Sequence, residues 1–116
     1  MPDASVRVAV GVRVEVGEGV DRRTIAVRRR VGQGPGLIWL GGFNSDMKGT
    51  KAQALDQWAK ERGRACVRFD YSGHGESGGQ FSDGTIGRWL EESCAVFAAF
   101  CEGPTIPIGS SMGGWI

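Results

Sequence analysis

"PIGSSMGGWI" (residues 107–116) sets two adjacent serines among glycines, and its reading decides the fold. The spacing Gly-x-Ser-x-Gly fits Gly109, Ser110, Ser111, Met112 and Gly113, with Ser111 at the centre. Centring on Ser110 would need glycines where Ile108 and Met112 stand. A sharp strand-to-helix turn exposes the central hydroxyl and strains its backbone by roughly 1–3 kcal/mol. Strand and helix backbones crowd at such a turn, so the positions two before and two after the serine must be small. Gly109 and Gly113 meet that need, and Gly114 adds room. The motif gains meaning only if a strand precedes it, and "TIPI" (105–108) reads as one.

Working outward, "VRVAVGVRVEV" (6–16) and "TIAVRRRV" (24–31) alternate apolar with other residues and predict an antiparallel hairpin. Arg22, Arg23, Arg28, Arg29 and Arg30 are expected on its solvated face and ends. "LIWL" (37–40) and "ACVRF" (65–69) read as buried strands. Between them, "TKAQALDQWAKERG" predicts a helix. Thr50 with Gln53 suggests a capping box, Asp56 with Lys60 a helical ion pair, and Leu55, Trp58 and Ala59 an apolar stripe. After the loop "DYSGHGESGGQFSDG" (70–84), residues 85–103 predict a second helix with Leu90, Cys94, Phe97 and Cys101 on one side. Strands alternating with helices imply a parallel sheet. Pro107 disagrees with a central position for the last strand, because it removes a ladder donor.

Composition excludes several classes. The 116 residues suffice for one domain, and 41% of them are apolar, enough for a core. A net charge of +1 points to neither nucleic acid nor an acidic partner. Nothing reads as a membrane span, and "MPDASVRVAV" does not read as a secretory signal. Cys66, Cys94 and Cys101 lack metal-ligand spacing and read as buried free thiols in a reducing compartment. The expected location is therefore cytoplasmic. No metal and no cofactor is expected, since His74 is the only histidine.

A serine nucleophile needs an oxyanion hole. One donor would be the N–H of the residue after it, Met112; the second would come from the loop after "LIWL". That loop begins "GGF", and Gly41 and Gly42 let the Phe43 N–H turn toward the same point. Each donor is typically worth about 3 kcal/mol in the transition state.

"LIWLGGFNSDMKGTKA", "RFDYSGHGESGG" and "IGSSMGGW" together resemble the α/β-hydrolase fold. More narrowly, they resemble the serine esterases that include the mitochondrial palmitoyl-protein thioesterase and acyl-glucuronide esterase, with bacterial relatives. The resemblance covers residues 36–116. It implies Ser111 as nucleophile, Phe43 and Met112 as oxyanion donors, and small-molecule or acyl-protein ester and thioester substrates. Two departures are Pro107, in place of an aliphatic residue, and a glycine where many hydrolases carry histidine in the oxyanion loop.

In this fold the triad acid and histidine follow the serine in sequence. Only five residues follow Ser111, and none is acidic or histidine. The expectation is a partial domain over residues 1–116: an N-terminal hairpin, then parallel strands with crossover helices, ending after the nucleophile strand. As such it would be inactive alone. His74, in a glycine-rich loop, reads as a residue near the mouth of the site, and Asp70 as a residue fixing that loop. Two rival functions stay open. One is a non-catalytic scaffold of the same fold. The other is a dinucleotide-binding module using Gly73, Gly75 and Gly78, although the helix that should open on those glycines starts only near Thr85.

Overall fold

The computed structural model describes residues 10–116. Residues 6–9 of the predicted first strand lie outside them. The strands are β1 (Val10–Val16), β2 (Arg23–Arg30), β3 (Gln33–Leu40), β4 (Arg64–Phe69) and β5 (Thr105–Gly109). Helix α1 is Thr50–Glu61 and α2 is Ile86–Phe100. One five-stranded sheet runs in the order β1-β2-β4-β3-β5. β1 and β2 form the antiparallel hairpin, with Val12 opposite Val27 and Val14 opposite Ile25. β2 is antiparallel to β4, while β3 runs parallel to both β4 and β5.

Side chains alternate across a strand, so β3 and β4 each feed two cores. Ile25, Val27, Ile38, Leu40, Val67 and Phe69 pack with Trp89 and Val96 of α2. Their neighbours Leu37 and Cys66 pack with Ala59 of α1 on the opposite face. The helices thus cover opposite faces of the sheet. Burial pushes the Cys66 thiol up to about 12, which makes it inert at neutral pH. Cys94, by contrast, is exposed and Cys101 only partly buried, so the expectation of three buried thiols holds for Cys66 alone.

Two of the five hairpin arginines depart from expectation. Arg23 and Arg30 are buried, because each meets a carboxylate on the inward side of a helix. Arg23 Nε donates to Glu92 at 2.8 Å, and the guanidinium also pairs with Glu91 and Asp21. Arg30 grips Asp56 with two donors, at 2.9 and 2.8 Å. Asp56 therefore points into the sheet, not along the helix to Lys60. Planar guanidinium suits such a two-pronged grip. Asp56→Asn removes the charge and one acceptor while leaving Arg30 buried. We expect it to cost about 1–3 kcal/mol in urea unfolding; an unchanged midpoint would refute this account of the pair.

Helix α1 is not closed by a Thr50 capping box. Gly49 occupies the N-cap, Thr50 is the first helical residue, and Gln53 Nε2 donates to Lys48 O. In α2 the inward residues are Trp89, Glu92, Ser93 and Val96. The stripe Leu90–Cys94–Phe97 lies one position round, along a groove of about 240 Å³ shared with Ile38, Leu40 and Pro107. On the other face Leu37, Trp39, Leu55, Trp58, Ile106 and Ile108 line a shallow apolar groove of about 590 Å³. Among the described residues β5 is an edge strand, not a central one. Ser110 N–H donates to Leu40 O at 3.1 Å, so strand alternation turns position 107 away from β3 and its missing N–H costs no ladder bond.

Candidate active site

Two loops meet at the ends of β3 and β5. After β5 the chain bends at Ser111, whose φ of 54° is left-handed and uncommon for a residue with a side chain. Residues Ser111–Gly114 form a single 3-10 turn, closed by Gly113 N–H to Ser110 O. Ser111 is exposed, Ser110 half-buried, and Gly113 buried. Met112 packs partly against the α2-side core. The crowding is measurable. A methyl carbon on Gly109 would lie 2.5 Å from Gly113 C. One on Gly113 would overlap the Leu40 carbonyl oxygen and sit 2.6 Å from its carbon. One on Gly114 would meet nothing within 4 Å.

The second loop, Gly41–Asn44, continues β3. Gly42 is buried so close to the turn that an added methyl would be 3.4 Å from Ser110 O and 3.6 Å from Ser111 Cβ. Phe43 is 58% exposed, and its ring meets Phe81 edge-on at 5.1 Å and Trp89 at 6.0 Å. Phe81 is 41% exposed, so Phe43 and Phe81 present an aromatic pair to solvent.

Three buried side chains hold that loop. Tyr71 Oη donates to Gly41 O at 3.0 Å. Asp70 accepts from Met47 N–H at 2.7 Å and from Glu76 N–H at 2.8 Å, tying the 40s loop to the 70s loop. Burial pushes the Asp70 carboxyl up, against the downward pull of those two donors. His74 is only 5% exposed, and its Nε2 accepts the Asn44 N–H at 3.0 Å. Both Asp70 oxygens and both His74 nitrogens have partners within the loops, and none of those partners is Ser111. Sequence reasoning placed His74 near the site but missed its bond to Asn44, which spans 30 residues. Lys51 Nζ reaches Ser110 Oγ at 3.4 Å, a contact with no sequence signal.

The glycines at 73, 75 and 78 do not cradle a phosphate. Gly73 N–H donates to Gly78 O and Gly78 N–H to Thr24 O, so these amides are spent closing the loop. Gly75 leaves room for the Asp70 carboxylate, and α2 begins eleven residues later at Ile86. The dinucleotide alternative therefore lacks the helix N-terminus it requires. Among the described residues no group of three or more His, Cys, Asp and Glu could hold a metal, and no helix is long and apolar enough to cross a membrane.

No protein-family model matches the chain. It is 41% identical over 96 residues to the mitochondrial palmitoyl-protein thioesterase ABHD10 of Homo sapiens, covering 83% of this chain and 31% of that protein. The Bos taurus protein of the same name is 42% identical over the same coverage. The chain thus spans about a third of the length of the curated relatives it matches. Among solved structures, a candidate hydrolase from Agrobacterium vitis S4 superposes with a TM-score of 0.89 at 51% identity, over 92% of this chain and 42% of that one. Mouse alpha/beta hydrolase domain-containing protein 10 gives 0.81 at 36%, over 90% and 41%. The cytoplasmic expectation does not stand, because the curated relatives are described as mitochondrial. The described residues have the fold of the α/β hydrolases, a mixed five-stranded sheet between two helices, and in sequence the chain is similar to the palmitoyl-protein thioesterases of that fold.

Proposed function

We propose that these residues carry the nucleophile side of a serine hydrolase acting on esters or thioesters with an apolar acyl group. The observation that carries this reading is Ser111, exposed at φ 54° on a turn packed against the Gly41–Asn44 loop. Ser111 Oγ attacks the acyl carbonyl carbon, and the N–H groups of Phe43 and Met112 take the oxyanion. The C–O or C–S bond to the leaving group then breaks, leaving an acyl-serine that water hydrolyses. The serine proton passes to a histidine, oriented by an Asp or Glu, and from it to the leaving group. Both partners are proposed to lie in polypeptide beyond residue 116, so that residues 1–116 are one part of a larger domain. Two observations support this: the chain matches only 31% of its relatives' length, and apolar grooves flank β5 on both faces.

A fluorophosphonate probe tests the proposal, because it reacts only with an activated serine. The full-length protein is expected to label at Ser111, and the isolated 116-residue chain to stay unlabelled. A full-length protein that folds and does not label would favour the non-catalytic scaffold. The isolated chain is also expected to bind the dye ANS strongly and to self-associate, since its grooves expose large apolar side chains. A cooperative monomer without dye binding would overturn the larger-domain reading.

A further inference from the structure

His74 is a buried imidazole that the proposed chemistry does not use, and its two ring nitrogens have partners of opposite kinds. Ser72 O, 3.0 Å from Nδ1, can only accept. Asn44 N–H, 3.0 Å from Nε2, can only donate. These partners match the imidazole tautomer that carries its proton on Nδ1 and is bare on Nε2. Its acceptor lone pair faces the residue next to Phe43. Asn44 itself has φ 57°, in the left-handed region that asparagine tolerates better than most residues with a side chain.

The chain of support behind the ring is continuous. Ser72 O also accepts the Trp89 indole N–H at 3.3 Å. Ser72 is fixed in turn by Glu92, which accepts its N–H at 2.7 Å and its hydroxyl at 2.6 Å. Glu92 is fully buried and neutralised by Arg23 of β2. The rings of Tyr71, Phe81 and Trp89 surround the imidazole edge, with centroids 5.2–5.7 Å away. A buried ring with both nitrogens satisfied has one orientation, and that orientation transmits the rigid β2–α2 ion pair to the loop over the serine.

We propose that His74 is a positioning residue for the oxyanion hole: its bare Nε2 holds the Asn44 N–H and so sets the direction of the Phe43 N–H. This rests on the serine hydrolase reading. The interaction acts on the transition state through the loop, so its loss is expected in kcat and not in KM. His74→Phe keeps the aromatic packing and removes both hydrogen bonds. His74→Gln restores an acceptor near the Nε2 position.

In the full-length protein, His74→Phe is expected to lower kcat for a p-nitrophenyl acyl ester about 10- to 100-fold, with KM changed less than about twofold. His74→Gln is expected to recover most of that loss. NMR of the wild type supplies the second readout: a nitrogen–nitrogen coupling across the hydrogen bond from Asn44 to His74 Nε2, with the proton on Nδ1. The proposal falls if the Gln and Phe variants are equally impaired while both melt like the wild type, or if Nε2 carries the proton. If the wild type shows no Ser111-dependent turnover, the hydrolase reading fails separately. The coupling then decides alone whether His74 holds the loop: its presence upholds the contact and its absence overturns it.

Discussion

Replacing Ser111 by alanine or by glycine in the full-length protein is expected to abolish fluorophosphonate labelling and to lower ester hydrolysis on the order of 10⁴–10⁶-fold. The proposed oxyanion donors, Phe43 and Met112, are untouched in both variants, so some turnover over water is expected to persist. The two substitutions should then part company in stability. Ser111 sits at φ 54°, where a Cβ approaches the following carbonyl and costs roughly 1–2 kcal/mol. Alanine keeps that Cβ and its strain. Glycine relieves the strain but adds backbone freedom to the unfolded chain, which takes back part of the gain. The net expectation is that Ser111→Gly unfolds at higher urea than Ser111→Ala, by about 1 kcal/mol. Such a result would mean that the serine is held in its exposed pose at a cost in stability. Retained labelling in either variant would move the nucleophile elsewhere, Ser110 being the first alternative. Equal stability of the two variants would remove the strain argument.

The parts of this molecule that were legible in the sequence are those written over a few neighbouring residues. The alternation in β1 and β2, the short apolar runs of β3 and β4, and the glycine frame of Ser111 each lie within a window of about ten residues. What escaped was non-local. Arg23 and Arg30 look like solvated hairpin arginines until Glu92 and Asp56 are placed opposite them, 69 and 26 residues away. A signal was available: Asp56 lies between the buried Ala52 and Ala59, and Glu92 between the buried Trp89 and Val96. An acid on the inward side of a helix demands a buried cation. The inward face of α2 lies one residue round from the expected Leu90–Phe97 stripe, because it includes the charged Glu92. The loop over Ser111 followed the same pattern. "GGF" marked where it is, but Tyr71, Asp70 and His74, which fix it, come from the other side of α1 and β4.

The second large effect is expected at Gly113, where local crowding and the proposed chemistry meet. A methyl carbon there would overlap Leu40 O and lie 2.6 Å from Leu40 C and 2.9 Å from Gly41 O. These are backbone atoms on both sides, so no rotamer change can relieve the clash. The turn must move away from β3 by about 1 Å or more, and the Ser110 N–H to Leu40 O bond is then the first to break. Overpacking of this kind typically costs 1–3 kcal/mol and more where backbone must shift. We expect Gly113→Ala to lose about 3 kcal/mol or more in urea unfolding. The same displacement separates Ser111 from the Gly41–Asn44 loop, because β3 carries that loop and the turn carries the serine. A misplacement of about 1 Å typically costs about 10²-fold in rate, so labelling of the surviving folded protein should slow by at least that factor. Gly114→Ala is the control: its added methyl meets nothing, and its stability should stay within about 0.5 kcal/mol of the wild type. If Gly113→Ala labelled as fast as Gly114→Ala and unfolded at the same urea concentration, the close approach of turn and strand would be irrelevant to the serine. The hydroxyl would then owe its exposure to something other than the bend that places it.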